Sequence, residues 1–219
     1  MGYNGAIPLE VLTLENRSVF EKLMARTMSN VLVDRFSEDR STAQDLLWVV
    51  GFSLLTALLA QIRIPLPYTP VPLTGQTFGA LLAGVALGSR RAFTSQLLYL
   101  LAGVAGLPVF AGGAFSALYL LGPTGGYLMG LPLAAGVLGW WVERGGARNS
   151  LRLGTGLVVS NLLILVAGTS WLQFALRVPF REAWVLGFYP FLLGDILKIA
   201  LVGLSFPRIL GRFEGARHH

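Results

Sequence analysis

The chain of 219 residues contains no cysteine, so disulfides and thiolate metal sites are excluded. Its only histidines are His218 and His219, at the far end. A histidine metal centre or a histidine base within the apolar part is excluded with them. Lysine is just as scarce. Lys22 and Lys198 are the two, and neither stands in a Gly-x-x-x-x-Gly-Lys-Ser/Thr loop, which removes ATP binding of the P-loop kind. Charged residues make up 13% of the chain, about half the share in an average soluble domain. Hydrophobic residues reach 54% and the mean hydropathy is +0.64. The chain is too apolar for disorder, and its charges are too few to coat a water-soluble globule. No cofactor is expected.

What the chain does have is long uncharged runs. Residues 46–62 form one, bounded by Asp45 and Arg63. Residues 64–89 form a second, but Pro65, Pro67, Pro70 and Pro72 crowd its start. Prolines at that density exclude a helix interior, so the helix is expected to begin near Thr74 and to be short. Residues 92–142 are uncharged, and Gly106-Leu107-Pro108, Gly112-Gly113 and Gly122-Pro123-Thr124-Gly125-Gly126 divide them into two helices. Residues 153–176 give a fifth span. Residues 183–207 give a sixth, with Asp195 and Lys198 inside it. The expected fold is therefore all-α, a polytopic membrane protein of six transmembrane helices. No internal repeat is visible.

Arginine and lysine set the expected orientation. Thirteen fall in the leader, the second and fourth connections and the tail, against Arg63, Arg177 and Arg181 on the other side. Both termini are thus expected in the cytoplasm, and the plasma membrane is the expected location. This topology accounts for most of the net charge of +6, so no nucleic-acid partner is expected. Residues 1–45 hold seven of the eleven acidic residues and no signal-peptide core. They read as a cytoplasmic leader, either loosely ordered or with a short amphipathic helix around Phe20 to Leu32. Residues 46–210 read as the membrane domain, and residues 211–219 as a cytoplasmic tail.

Asp195 and Lys198 are the sharpest chemical signal. They are the ionisable acid and base inside a span, and charge there is costly enough that function is the default reading. Snorkelling by Lys198 is strained, since it lies ten residues from Arg208, about 15 Å of helix. Mutual neutralisation at i and i+3 is the competing structural reading. In one cavity, the carboxylate would accept N–H donors and the ammonium would donate to a ligand oxygen. Three external segments converge above this pair. Pro65 to Pro72 reads as a turn or a lid, leading to Thr74 and Gln76. The segments around Phe110 and Gly113 and before Tyr127 offer backbone N–H groups and two rings that could sandwich an apolar ligand. Interfacial anchoring is the plainer role for either ring alone. Asn161 and Gln96 are weaker candidates, since a buried amide commonly bonds across a helix interface.

At these residues a resemblance enters. Ile64-Pro65-Leu66-Pro67, Thr69 to Thr74 with Gln76, Gly106 to Phe110, Gly122 to Leu128, and Gly194-Asp195 with Lys198 are similar to the pattern of the BioY family. These are biotin-binding S-components of energy-coupling factor (ECF) transporters. The resemblance covers residues 46–210. It implies a six-helix membrane domain with an occluded vitamin site, and Asp195 and Lys198 at that site. It implies a gate over Pro65 to Thr74, and partnership with a membrane coupling subunit and two ATPase subunits. The implied function is biotin uptake, not an enzymatic reaction. A small-residue surface for the coupling subunit is carried over only onto Ala57 and Ala60. The alternatives are an S-component for another vitamin, an intramembrane enzyme using Lys198, and a purely structural subunit.

Overall fold

The computed structural model describes residues 42–148, 150–192, 194–197, 199 and 201. The leader up to residue 41, with its proposed amphipathic helix, and the tail lie outside the described residues. Helix α1 spans Thr42–Ala60. Strands β1 (Arg63–Ile64) and β2 (Leu73–Thr74) follow, paired antiparallel with Arg63 opposite Thr74 and Ile64 opposite Leu73. The prolines of 65–72 cannot donate to a ladder, and the hairpin is confined to the residues on either side of them. Helix α2 runs Gln76–Leu87, α3 Ser89–Val104, α4 Ala117–Leu121 and α5 Gly125–Trp141. After a distorted turn at Val142–Gly146 come α6 (Ser150–Leu176) and α7 (Phe180–Gly187). Residues 189–192 and 194–197 are again helical.

Among the described residues, three helical segments are long and apolar enough to cross a bilayer: Thr42–Ala60, Gly125–Gly146 and Leu151–Leu176. Helix α2 is apolar but has 12 residues, about 18 Å of rise against the ~30 Å of a hydrocarbon core. Many large side chains face outward, among them Leu47, Leu54 and Leu58 on α1 and Phe174 on α6. An apolar exterior of this extent belongs in lipid. Helix α5 is the hub, packed against α6, α3 and α2, whereas α1 leans on α3 and α2 from outside.

Small residues set these close contacts. Gly88 turns the chain from α2 into α3 at φ +77°, where a side chain would be strained. Gly139 of α5 sits against that turn, so that a Cβ there would lie 2.5 Å from the Ser89 nitrogen and 2.7 Å from the Gly88 oxygen. Gly84 of α2 similarly faces the Ala135 carbonyl and Leu138. Ala60 is fully buried in a core with Ala80, Tyr99, Leu100 and Phe110. The pair Ala57 and Ala60 therefore does not form an outward small-residue surface, a correction to the sequence reading.

Three further features differ from the sequence expectation. The fold is mostly helical and not wholly so, since β1 and β2 pair where the proline-rich connection begins and ends. Helix α4 was not expected in the third connection. The last apolar run is not one continuous rod, because it breaks between α7 and the helical residues 189–192. Pro190 lacks the N–H that would reach the Leu186 carbonyl. The Phe191 N–H turns back to the Phe188 oxygen. The freed Gly187 carbonyl accepts the Tyr127 hydroxyl at 2.5 Å instead, so the break is satisfied from a neighbouring helix.

Gly139→Ala is expected to push α5 off the α2–α3 turn and cost about 1–3 kcal/mol. Gly51→Ala, where a new Cβ meets nothing within 4 Å, should leave stability level or slightly raised. Thermal unfolding of both variants in detergent checks the contrast.

Candidate functional site

The helix ends on one side of the bundle enclose a cavity. Its wall includes Val71 and Pro72 from the proline segment, Thr74, Gln76 and Thr77 at the head of α2, and Tyr119 of α4. Tyr127, Leu128 and Leu131 of α5, Leu165 of α6, and Phe191 and Asp195 complete most of the remainder. The space along this wall is about 520 Å³, part of it open to solvent. The cavity is largely apolar with a few polar groups on its wall, which is the usual make-up of a small-molecule site.

Several of these polar groups are held by neighbours. Asp195 is 3% exposed, and its Oδ2 accepts the Asn161 Nδ2–H at 2.9 Å. Asn161, on α6, is itself buried and is not among the cavity's lining residues. A carboxylate in this setting is costly unless hydrogen-bonded, and Asn161 supplies part of what water would. At the opposite wall the Thr74 hydroxyl donates to Gln76 Oε1 at 2.9 Å. Gln76 Nε2 in turn donates to the Tyr99 hydroxyl at 2.5 Å, and Tyr99 donates to the Val109 carbonyl at 3.2 Å. This chain joins the hairpin, α2, α3 and the third connection. The Tyr127 ring lies directly on Gly168, where any Cβ would overlap it, and stands 5.8 Å from the Phe191 ring between centroids.

The residues singled out from the sequence divide into groups. Thr74, Gln76, Tyr127 and Asp195 line the cavity. Phe110 is fully buried, its ring stacked 5.3 Å from Tyr119 and edge-on to Tyr99 at 5.6 Å. It supports Tyr119, which is the ring facing the space. Gly113 lies farther out, its N–H donating to Gln61 Oε1 at 3.0 Å, and Asn161 stands behind Asp195. Gln96 donates to the Thr56 hydroxyl at 3.1 Å across the α1–α3 interface. Lys198 lies outside the described residues. Tyr99, Gln61, Tyr119 and Phe191 were not found from sequence. Gln61 grips the third connection through the carbonyls of Phe110 (3.2 Å) and Val109 (3.5 Å). A glutamine just past a predicted span and a tyrosine inside one carry no distinctive spacing, so only the fold reveals them.

A helical membrane protein with a polar-dotted cavity under a proline hairpin is the class that these features define. Within that class the chain belongs to the BioY family, whose sequence profile matches residues 28–215. It is 38% identical over 169 residues to the probable biotin transporter BioY of Pyrococcus horikoshii, covering 77% of this chain and 98% of that one. It is 36% identical over 159 residues to the biotin transporter BioY2 of Lactococcus lactis, covering 71% and 86%. In fold it is similar to a crystal structure at 2.1 Å of the S-component for biotin from an ECF-type ABC transporter. The TM-score is 0.68 at 24% identity, over 78% of this chain and 95% of that one.

Tyr99→Phe removes the hydroxyl shared by Gln76 and Val109 and leaves both without it. A loss of about 1–3 kcal/mol of stability is expected. Chemical denaturation of purified wild type and variant measures it, and an unchanged midpoint would show that the relay is not holding the hairpin.

Proposed function

We propose that this protein captures biotin at the membrane as the substrate-specific S-component of an ECF-type transporter. The observation that carries the reading is the buried Asp195 carboxylate on the cavity wall, in a family whose relatives are named biotin transporters. Biotin has a flat ureido ring with two N–H donors, an apolar thioether ring and an acidic tail. Asp195 accepts one ureido N–H, Lys198 donates to a ligand oxygen, and Tyr127, Tyr119 and Phe191 flank the apolar ring. Thr74 and Gln76 supply further polar contacts. Asn161, Phe110 and Gly113 support the wall from behind. The protein transports and does not catalyse.

In this reading residues 46–210 form six membrane helices in the plasma membrane, with both termini in the cytoplasm, as the thirteen-to-three distribution of basic residues favours. The cavity then opens outward, under the hairpin. In this reading the segment 65–72, whose Val71 and Pro72 line the cavity, lifts to admit the vitamin and closes over it. Release inward draws on a membrane coupling subunit and two ATPase subunits, since this chain has no P-loop lysine.

Titration of biotin into purified protein in detergent tests the reading. Wild type should bind biotin in preference to thiamine and riboflavin. Asp195→Asn should weaken binding by roughly tenfold to a hundredfold, the range for one hydrogen bond to a charged group. Lys198→Met should weaken it comparably. Equal binding of all three vitamins, or full affinity in both variants, would overturn the assignment.

A further inference from the structure

A second groove lies at the other end of the bundle, between the start of α3 and the last turns of α5. Phe93, Val137 and Trp140 wall it, Gly136 forms its floor and Arg90 stands at its end. Phe93, Val137 and Trp140 are 38%, 39% and 46% exposed, so the slot faces the surrounding bilayer. Its depth comes from a missing side chain. A Cβ on Gly136 would make ordinary contact with Phe93 at 3.5 Å, whereas a longer side chain would fill the slot.

The rim is cationic. The Arg144 guanidinium lies 4.0 Å from the ring centroid of Trp140, one of the groove's walls. Arg90 is exposed, and among the described residues no carboxylate pairs with it. Arg91 differs, since its Nε bonds Asp45 at 2.9 Å. One carboxylate shares the rim, Glu143, but its Oε1 accepts the Ser89 N–H at 2.7 Å and caps α3. The Thr94 hydroxyl donates to the Arg90 carbonyl at 2.9 Å and is engaged. One guanidinium, Arg90, thus lines the apolar slot, and a second, Arg144, stacks on the Trp140 of its wall. A free phosphate would leave the slot unfilled. A zwitterionic lipid would bring its own cation to the arginines.

We propose that this groove binds one anionic phospholipid, its phosphate between Arg90 and Arg144 and one acyl chain along Phe93, Gly136, Val137 and Trp140. Basic pockets between membrane helices are suited to such headgroups. In the orientation proposed above the lipid belongs to the inner leaflet. The site is separate from the vitamin cavity and does not depend on what that cavity binds.

The test uses the full chain in phosphatidylcholine nanodiscs doped with phosphatidylglycerol or phosphatidylcholine carrying brominated acyl chains. The quenching of Trp140 is taken as the difference from a Trp140→Phe variant. Brominated phosphatidylglycerol should quench it saturably at low mole fraction, and brominated phosphatidylcholine should not. The double variant Arg90→Gln/Arg144→Gln should raise the half-saturating fraction on the order of 30-fold, as expected for two surface cations. Gly136→Leu should abolish the saturable phase and Gly136→Ala should keep it. Biotin binding in the same samples reports that each variant is folded. Equal quenching by both lipids, an unshifted half-saturation in the double variant, or a Trp140 shielded from both lipids by a second copy would each overturn the proposal.

Discussion

A carboxylate inside a membrane protein sets the terms for everything around it. Asp195 is almost without exposure, on the wall of a cavity whose other faces are largely apolar. Ionised and unassisted, such a group would cost several kcal/mol. Part of that cost is offset where α6 presents Asn161 to it at 2.9 Å. That contact requires α6 and the last helical segment to approach closely and in one register. The rest of the bundle is what maintains the approach.

Helix α5 does most of this. It packs on α2, α3 and α6, and glycines at its contact points allow backbone to meet backbone. The same helix carries Tyr127, whose ring lies on Gly168 of α6 and whose hydroxyl completes the break after α7. One residue thus contributes a ring to the cavity and fixes the path of the segment that bears Asp195. On the far wall, the relay from Thr74 through Gln76 and Tyr99 to Val109 connects the hairpin to the third connection. A hairpin tied in this way has defined points of attachment, while the prolines of 65–72 keep its tip from joining either strand or helix.

Much of this was readable beforehand. The uncharged runs anticipate α1, α2, α5 and α6 within a few residues, because hydrocarbon tolerates neither charge nor unpaired backbone. The shortness of α2 follows from the prolines before it. The acid was legible too, since charge inside an apolar run is costly enough to make function the default reading, with neutralisation by Lys198 as the competing one. Phe110 illustrates the limit. An aromatic ring beside glycines reads as a ligand-facing group, yet Gly103 leaves room for that ring to turn inward, where Tyr99 and Tyr119 hold it. Periodicity reports which residues are apolar, and it is silent on which of two neighbouring rings faces an internal space.

The amino-acid sequence by itself determined the solvent in which this chain folds, the approximate position of its helices, the proline-stiffened connection between the first two and the acid within the last apolar run. Each of these follows from local composition, through the cost of charge in lipid and the missing N–H of proline. Only the tertiary structure decided that Asn161 meets Asp195, that Tyr119 rather than Phe110 faces the cavity, and that Tyr127 closes the break at Gly187. Those outcomes depend on how closely helices far apart in the chain approach one another, and that distance is set by small residues on both partners at once.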